Sequence, residues 1–505
     1  MSKCGTRRDP DHTERMATSD LSGIPTPLLT FPEVPALDPP GVAGNGQLPE
    51  QGFVTHVWPG PNHTGAQLAT IGKSARKACP RTSHDTFTPR SDRDPLAVLA
   101  GQATTRVPEL VPVRHARMAV SPFTFFRGAA AVMAADLATT PTTPLNVQLC
   151  GDAHLSNFGL FGTPERRQAF DVNDFDETLP GPFEWDVKRL AASLVVAAFD
   201  RGFSEDIGRD AAVQAVLSYQ STVARLVALD ELDTWYVQLE SDMIVASLPD
   251  DSRKRAERAV TKARQRTSAQ AMAKLTRSEG GVPRIVDDPP LITHFDEDVT
   301  RDHLSELFRA YLPTVSSERR HLLRRYRVVD AARKVVGVGS VGTRCYILLA
   351  LAWSDDSPLF IQVKQAQASV LEPFVGRASQ PHHGERVVDG QRLMQTTSDI
   401  FLGWGTAGEH HFYLRQLRDW KGSANIDTMS DEQLPHYARL CGAALARAHC
   451  RSGNADALSA YLGDNDSFAA AVADFSLRYA ALNIEDHAAF CAAIADGEIE
   501  AAELP

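Results

Sequence analysis

The chain has 505 residues, 43% hydrophobic and 23% charged, the composition of an ordinary soluble globular protein long enough for two or three structural units. Its formal net charge of −11 argues against a nucleic-acid binder, whose footprint is basic. No apolar run approaches the roughly 20 residues that span a membrane, and the polar N-terminus lacks the apolar core of a secretory signal, so a cytoplasmic address is expected.

Residues 1–52 are rich in Pro, Gly, Thr and Asp without periodicity, which predicts a disordered or loosely attached leader. A short helix is expected over 95–102 and another over 121–139, entered through Ser121-Pro122. The apolar run 145–150 suits a buried strand leading into Gly151, and the segment after the following loop suits a hairpin. Over 185–202, Leu190, Leu194, Val195 and Ala198 share one helical face, and helical patterning continues over 207–232 and 252–277. The last of these carries Arg253, Lys254, Arg255, Arg258, Lys262, Arg264 and Arg266; it reads as a solvated face, with a phosphate- or partner-binding surface as the alternative. A Pro-rich break over 282–290 precedes a helix over 302–311. Runs at 335–341, 345–353 and 359–364 then predict strands, extended by 397–403 and 411–417. From 431 to 500 the chain is Ala-rich and helical, broken at 452–454 and 463–466. The expected organisation is a leader (1–52), a helical lobe (70–330), a β-rich lobe (331–420) and a helical segment (421–505) that completes the first lobe. The seven cysteines, Cys4, Cys79, Cys150, Cys345, Cys441, Cys450 and Cys491, form no C-x-x-C pair, which favours reduced thiols over zinc or disulfides.

Gly151-Asp152-Ala153-His154-Leu155-Ser156-Asn157-Phe158-Gly159 places Asp152 five positions before Asn157. In phosphoryl transfer an Asp accepts the proton of the attacking hydroxyl, and an amide oxygen from the same tight loop binds the metal that holds the phosphates. That spacing alone is common by chance. Its sequel adds weight: Phe170-Asp171-Val172-Asn173-Asp174-Phe175-Asp176-Glu177 holds four carboxylates in seven positions, interleaved with apolar residues. Such groups are costly to bury without a charge partner. A divalent cation with phosphates supplies one, and magnesium favours one or two carboxylates plus phosphate oxygens. A metal ion is therefore expected at Asn157 and among these carboxylates. Calcium is a rival, although the glycine and terminal glutamate of an EF-hand are missing; an acidic turn facing water is the bland alternative.

Gly337-Val338-Gly339-Ser340-Val341-Gly342 is a G-x-G-x-x-G, a weak signal by itself. A dinucleotide unit would continue as a helix, whereas a strand is expected here. Strand, glycine turn, strand is the arrangement that covers nucleotide phosphates in kinases, so Gly337, Gly339 and Gly342 are expected to cradle ATP. Ile361-Gln362-Val363-Lys364 is close to V-A-I-K, which assigns Lys364 to the phosphates; a lysine snorkelling from a strand end is the alternative. Glu385, 21 residues beyond Lys364, is the expected partner of that lysine, with Glu372 as the fallback. Gly72-Lys73-Ser74 is not a Walker loop, because Gln67 stands where the first glycine must be.

Kinases encode the glycine loop and lysine before the catalytic loop; here they follow it. Reopening a compact unit elsewhere preserves its contacts. The expected fold is therefore α+β: a two-lobed protein-kinase-like fold with circularly permuted lobe order, its β-rich nucleotide lobe encoded after the catalytic loop, beside a large helical lobe. Ser121-Pro122-Phe123, Arg127-Gly128, residues 150–159 and 173–178, Gly181-Pro182-Phe183-Glu184-Trp185-Asp186-Val187-Lys188-Arg189-Leu190, 334–342, 386–395 and 415–419 resemble the bacterial family called domain of unknown function 2252, over roughly 72–500. More distantly, Gly151-Asp152-x-His154-x-x-Asn157 and Asp174-Phe175-Asp176 are similar to motifs of aminoglycoside and choline phosphotransferases, with Cys150 in place of the usual histidine and Gln365 where an acidic residue is usual. That resemblance implies Asp152 as base, Asn157 and Asp174 as metal ligands with Asp176 of the same motif beside them, and Asp186 as a brace for the catalytic loop. The expected function is an ATP- and magnesium-dependent phosphotransferase on an unidentified hydroxyl acceptor, a small molecule rather than a protein. An AMP transferase on the same fold, a nucleotide-binding pseudokinase and a calcium-binding structural protein stand as alternatives. No nucleic acid and no membrane are expected as partners.

Overall fold

The computed structural model describes residues 28–30, 63–248, 250–295, 297–417 and 420–503. It is a mixed α+β structure whose largest sheet is a curled, antiparallel half-barrel. Two strands set that sheet. Cys345–Ala352 and Pro358–Ala366 pair with Cys345 opposite Lys364 and Ile347 opposite Gln362. Tyr326–Lys334 adds on one side, His410–Gln416 and then Gly403–Ala407 on the other. Residues opposite one another in an antiparallel pair share a face, so the register decides what each face carries. One face presents Leu348, Ile361, Val363 and Leu414 to Leu304, Phe308 and Tyr311 of the helix Glu297–Tyr311. The other carries Lys364, Gln362, Tyr413 and Arg415 at one end. At its far end Ile347, Leu349 and Phe360 are covered by Ala271, Ile285 and Ile292.

The helical body is organised around Phe183–Asp200, buried from Phe183 through Ala198. Glu205–Leu226, Gln433–Ser452 and Ser467–Ala495 pack around it in one continuous apolar core. The breaks expected near 452–454 and 463–466 fall where the helices Gln433–Ser452 and Ala455–Leu462 end. Among the described residues no helix is long and apolar enough to cross a membrane. Cys79, Cys150, Cys345, Cys441, Cys450 and Cys491 are free thiols.

The structure corrects several expectations. Within the supposed leader, Leu29–Thr30 forms an edge strand against Val328 and Arg327, anchored by buried Leu28; the rest of 1–52 lies outside the described residues. The helix over 121–139 is two, Pro122–Gly128 and Ala130–Leu137. Gly128 sits so close to Met118 that a Cβ there would lie 2.5 Å from its sulfur, and the chain turns at the next residue. The helix over 252–277 is also interrupted, into Asp250–Arg264 and Ser268–Leu275. A hairpin follows, Thr276–Glu279 with Val282–Ile285, turning at Gly280 and Gly281 with φ of 61° and 86°. No strand spans 335–341; the strand ends at Lys334 and the glycines form the connection to Cys345. Residues 397–402 make a turn, because the Asp399 carboxylate accepts from the Phe401 N–H and curls the chain before Gly403.

Candidate active site

The strand Asn146–Leu149 pairs with Leu179–Pro182 and delivers the chain into the loop at Gly151. Gly151 has φ of 81°, and a Cβ on it would lie 2.3 Å from the Glu177 carbonyl, so only glycine fits. The loop backbone is held from below. Asp186, near the start of the buried helix Phe183–Asp200, accepts from the Cys150 N–H at 2.7 Å and the Gly151 N–H at 3.0 Å. His449 Nε2 lies 3.3 Å from the same carboxylate, and Tyr219 Oη lies 3.0 Å from His449 Nδ1.

Asp152 projects from this loop into a cleft of about 520 Å3 between the helical body and the sheet. Arg189 donates to its Oδ1 at 2.8 Å, and Oδ2 faces His154 Nε2 at 3.7 Å, beyond hydrogen-bond reach. Burial raises the Asp152 pKa against the pull of Arg189. Burial, with Arg127 and Arg189 nearby, keeps His154 well below its usual value and therefore neutral. Asn157 donates its amide N–H to the Asp152 carbonyl at 2.8 Å, which leaves Oδ1 as the atom able to meet a cation.

The hairpin Phe158–Gly162 with Gln168–Val172 leads into the acidic segment. Its first member, Asp171, points into the core, where Arg447 binds both carboxylate oxygens at 2.6 and 2.5 Å. Asp174 and Asp176 face the sheet. Lys364 Nζ lies 3.5 Å from Asp174 Oδ2 and forms an ion pair with Asp176. Burial works against the lysine's charge, but Asp174 and Asp176 outweigh it and hold its pKa well above the usual value. Burial likewise opposes ionisation of Asp174, yet Lys364 and Arg415 hold it below the ordinary range. Tyr413 donates to Asp176 Oδ1 at 2.9 Å, and Ser340, inside the glycine loop, donates to Asp176 Oδ2 at 3.2 Å. Arg415 donates to the Asn173 carbonyl at 3.0 Å. Beyond them, Glu177 accepts from the Val370 N–H at 2.8 Å, and burial raises its pKa to about 7.

The model of the family described as an uncharacterized protein conserved in bacteria (DUF2252) matches residues 106–493. The chain belongs to this family. No curated protein and no solved structure matches it.

In this DUF2252 chain, three of the residues singled out from sequence, Asp152, Asp174 and Asp176, line one cleft, and Lys364, encoded 190 positions after Asp174, is buried behind them and paired with Asp174 and Asp176. Asn157 lies at the back of the loop that carries Asp152, its carbonyl accepting from the Asn173 N–H at 2.8 Å. Gly339 lines the cleft, while Gly337 and Gly342 take φ of 68° and 90° and shape the loop. Glu385 is a correction. Among the described residues it forms no ion pair with Lys364, and neither does Glu372, which accepts from the Ser369 N–H. The helix is His383–Met394, and one residue is 100° of helical turn. The side chain aimed inward is Arg386, which donates to the carbonyls of Asp176, Thr178 and Gln367 and ties the helix to the acidic loop. Ser340, Arg386 and Arg415 lie in motifs read from the sequence but carry no expected site role there, and Tyr413 lies in no such motif. Only strand register, with Tyr413 opposite Lys364 and Arg415 opposite Gln362, brings the two from the sheet to the site.

Proposed function

We propose that the chain is an ATP- and magnesium-dependent phosphotransferase acting on a hydroxyl acceptor, with kinase-like lobes in permuted order. The observation that carries this reading is the meeting of Lys364 with Asp174 and Asp176 in the cleft that Asp152 enters. The order of elements in the sheet supports it: strand, glycine connection, strand, lysine-bearing strand, then helix, as in the phosphate lobe of kinases. Asp174, Asp176 and the Asn157 amide offer a sparse set of oxygens, a set that fits magnesium because this ion takes few carboxylates and completes its shell with phosphate and water. Asn157, Asp174 and Asp176 would hold magnesium, and the ion would supply charge neutralisation at the phosphates.

Each protein group then has a task. Lys364 and the Gly339–Ser340 backbone position the phosphates, and Asp152 orients the acceptor hydroxyl through Oδ2, since Arg189 occupies Oδ1. Arg189 also fixes the carboxylate's direction. Catalysis of this kind rests on positioning and charge neutralisation more than on covalent chemistry. A cleft of this size suits a small acceptor better than a protein segment.

The test is incubation of wild type and Asp152→Ala with γ-labelled and α-labelled ATP in a metabolite extract. Transfer of the γ label by wild type only is expected. Transfer of the α label instead would mark an AMP transferase. Binding of MgATP with neither label moved would mark a pseudokinase, a reading favoured by the present saturation of Lys364 by both acidic residues.

A further inference from the structure

Two arginines line the cleft, and they are held very differently. Arg106 donates to the Val341 carbonyl and packs beneath Gly342. The guanidinium of Arg127, in the last turn of Pro122–Gly128, donates to no described residue; its Nε, like those of Arg106, Arg114 and Arg386, is buried without a partner, but it alone of these four makes no other bond. The other arginines around the site are all engaged: Arg114 with the Gly128 carbonyl, Arg189 with Asp152, Arg386 with three carbonyls, Arg415 with Gln362 and Asn173. A half-buried guanidinium with unspent donors is expensive to keep. Its fork geometry matches two oxygens of a phosphate.

Its surroundings say which phosphate. Arg127 feels the charges of Asp152, Asp427 and Asp174, yet burial dominates and lowers its pKa. Arg127, Asp152 and Asp174 line the same cleft, and the guanidinium bonds to neither carboxylate. Its own carbonyl lies 3.1 Å from where a Cβ on Gly339 would be, so it sits directly under the glycine loop. Lys364, by contrast, is already taken up by Asp174 and Asp176.

We propose that Arg127 binds the phosphoryl group in flight, hydrogen-bonding its non-bridging oxygens between Asp152 and Asp174. This rests on the phosphotransferase reading of the cleft. In the step, the bond from the γ-phosphorus to the β-phosphate oxygen breaks and its electron pair leaves with ADP. The acceptor oxygen bonds to phosphorus, and the acceptor proton passes to Asp152. Arg127 keeps all its protons throughout; its contribution is charge and direction, and it is strongest when charge spreads over the equatorial oxygens.

The experiment compares binding of MgADP with binding of MgADP plus aluminium fluoride, a planar mimic of the phosphoryl group, and needs no acceptor. Wild type, Arg127→Met and Arg127→Lys are titrated by calorimetry, and their thermal unfolding is measured without ligand. Arg127→Met is expected to weaken the aluminium fluoride complex about 100-fold or more while changing MgADP affinity less than about threefold. Arg127→Lys restores part of the loss, because it returns the charge without the fork. Ligand-free Arg127→Met is expected to unfold at the wild-type temperature or above it, since no bond is lost. Equal affinity of wild type and Arg127→Met for the aluminium fluoride complex, or equal loss for both ligands, would overturn the assignment. So would a lowered unfolding temperature for both variants, the behaviour of a structural strut. Failure of wild type to bind any magnesium nucleotide would instead overturn the phosphotransferase reading itself.

Discussion

Replacing Lys364 by methionine isolates the contact that joins the early and late halves of the cleft. The lysine side chain is 3% exposed, whereas those of Asp174 and Asp176 are 31% and 25% exposed. Without the cation, two carboxylates face one another over an apolar stem. Breaking a wholly buried ion pair by removing one partner costs about 3–5 kcal/mol. Here water reaches both carboxylates and screens part of the repulsion, and Arg415 and Tyr413 stay in place, so a loss of about 2 kcal/mol is expected. Urea unfolding followed by circular dichroism measures it for wild type, K364M, D176N and K364M/D176N. The double variant should recover part of the loss, with a coupling energy of about 1–2 kcal/mol. A K364M protein within about 0.5 kcal/mol of wild type, with the two substitutions strictly additive, would show that the halves do not meet at this contact.

Three further outcomes follow from buried polar groups. Asp186→Ala orphans the N–H groups of Cys150 and Gly151 and should cost about 2–4 kcal/mol in the same urea assay; an unchanged midpoint would remove Asp186 as the brace of the loop. Arg447→Met leaves Asp171 buried and charged, at about 3–5 kcal/mol, whereas Arg447→Met with Asp171→Leu should return close to wild-type stability. A double variant as unstable as the single one would refute this. His294 is lifted to about 9 from 6.5, chiefly by its hydrogen bond to Asp330 with Asp287 adding to it. Its contribution is complete below 6.5 and disappears as pH rises through about 9. Thermal unfolding of wild type across that window should therefore lose stability that His294→Asn lacks at every pH, and parallel curves would refute the clasp.

What could be read from the sequence was local. Leu190, Leu194, Val195 and Ala198 repeat at helical spacing, and they lie in the buried helix Phe183–Asp200. Asp152 with Asn157, and Asp174 with Asp176, lie close enough along the chain for one loop or turn to carry each pair. The strand Tyr326–Lys334 was hidden because Arg327, Asp330, Arg333 and Lys334 interrupt any apolar alternation. Its charges are matched by groups far away in the chain: Asp356 for Arg327, Glu109 for Arg333, and His294 and the Ile285 N–H for Asp330. The hairpin at Gly280-Gly281 did carry a readable signal, since a glycine pair between short strands marks a tight turn; the helical period of the preceding residues masked it. The expectation of Glu385 rests on spacing along the chain, which fixes position along a helix but not which of two adjacent residues faces inward.

The glycine loop shows how a cleft assembled from distant segments constrains its ligand. In a freely hinged flap the loop would rise to admit a nucleotide. Here Val338 is buried with Leu99, Met118, Phe125 and Phe490, and Val341 with Val107, Leu110 and Val113. Arg117 donates to the Gly337 carbonyl at 2.7 Å, and Arg106 to that of Val341. Lifting the loop would expose two valines at about 1.5 kcal/mol or more each and break two hydrogen bonds to charged donors at about 1.5–3 kcal/mol each. The sum, about 6 kcal/mol or more, would hold the raised form below one molecule in 10,000. Access along the lysine-bearing face is closed as well, because Ala271, Ile285 and Ile292 cover Ile347, Leu349 and Phe360. With the loop held down, whatever a ligand carries beyond its phosphates must fit among the other residues that line the cleft, Gln102, Thr105, Arg127, His383 and His410 among them.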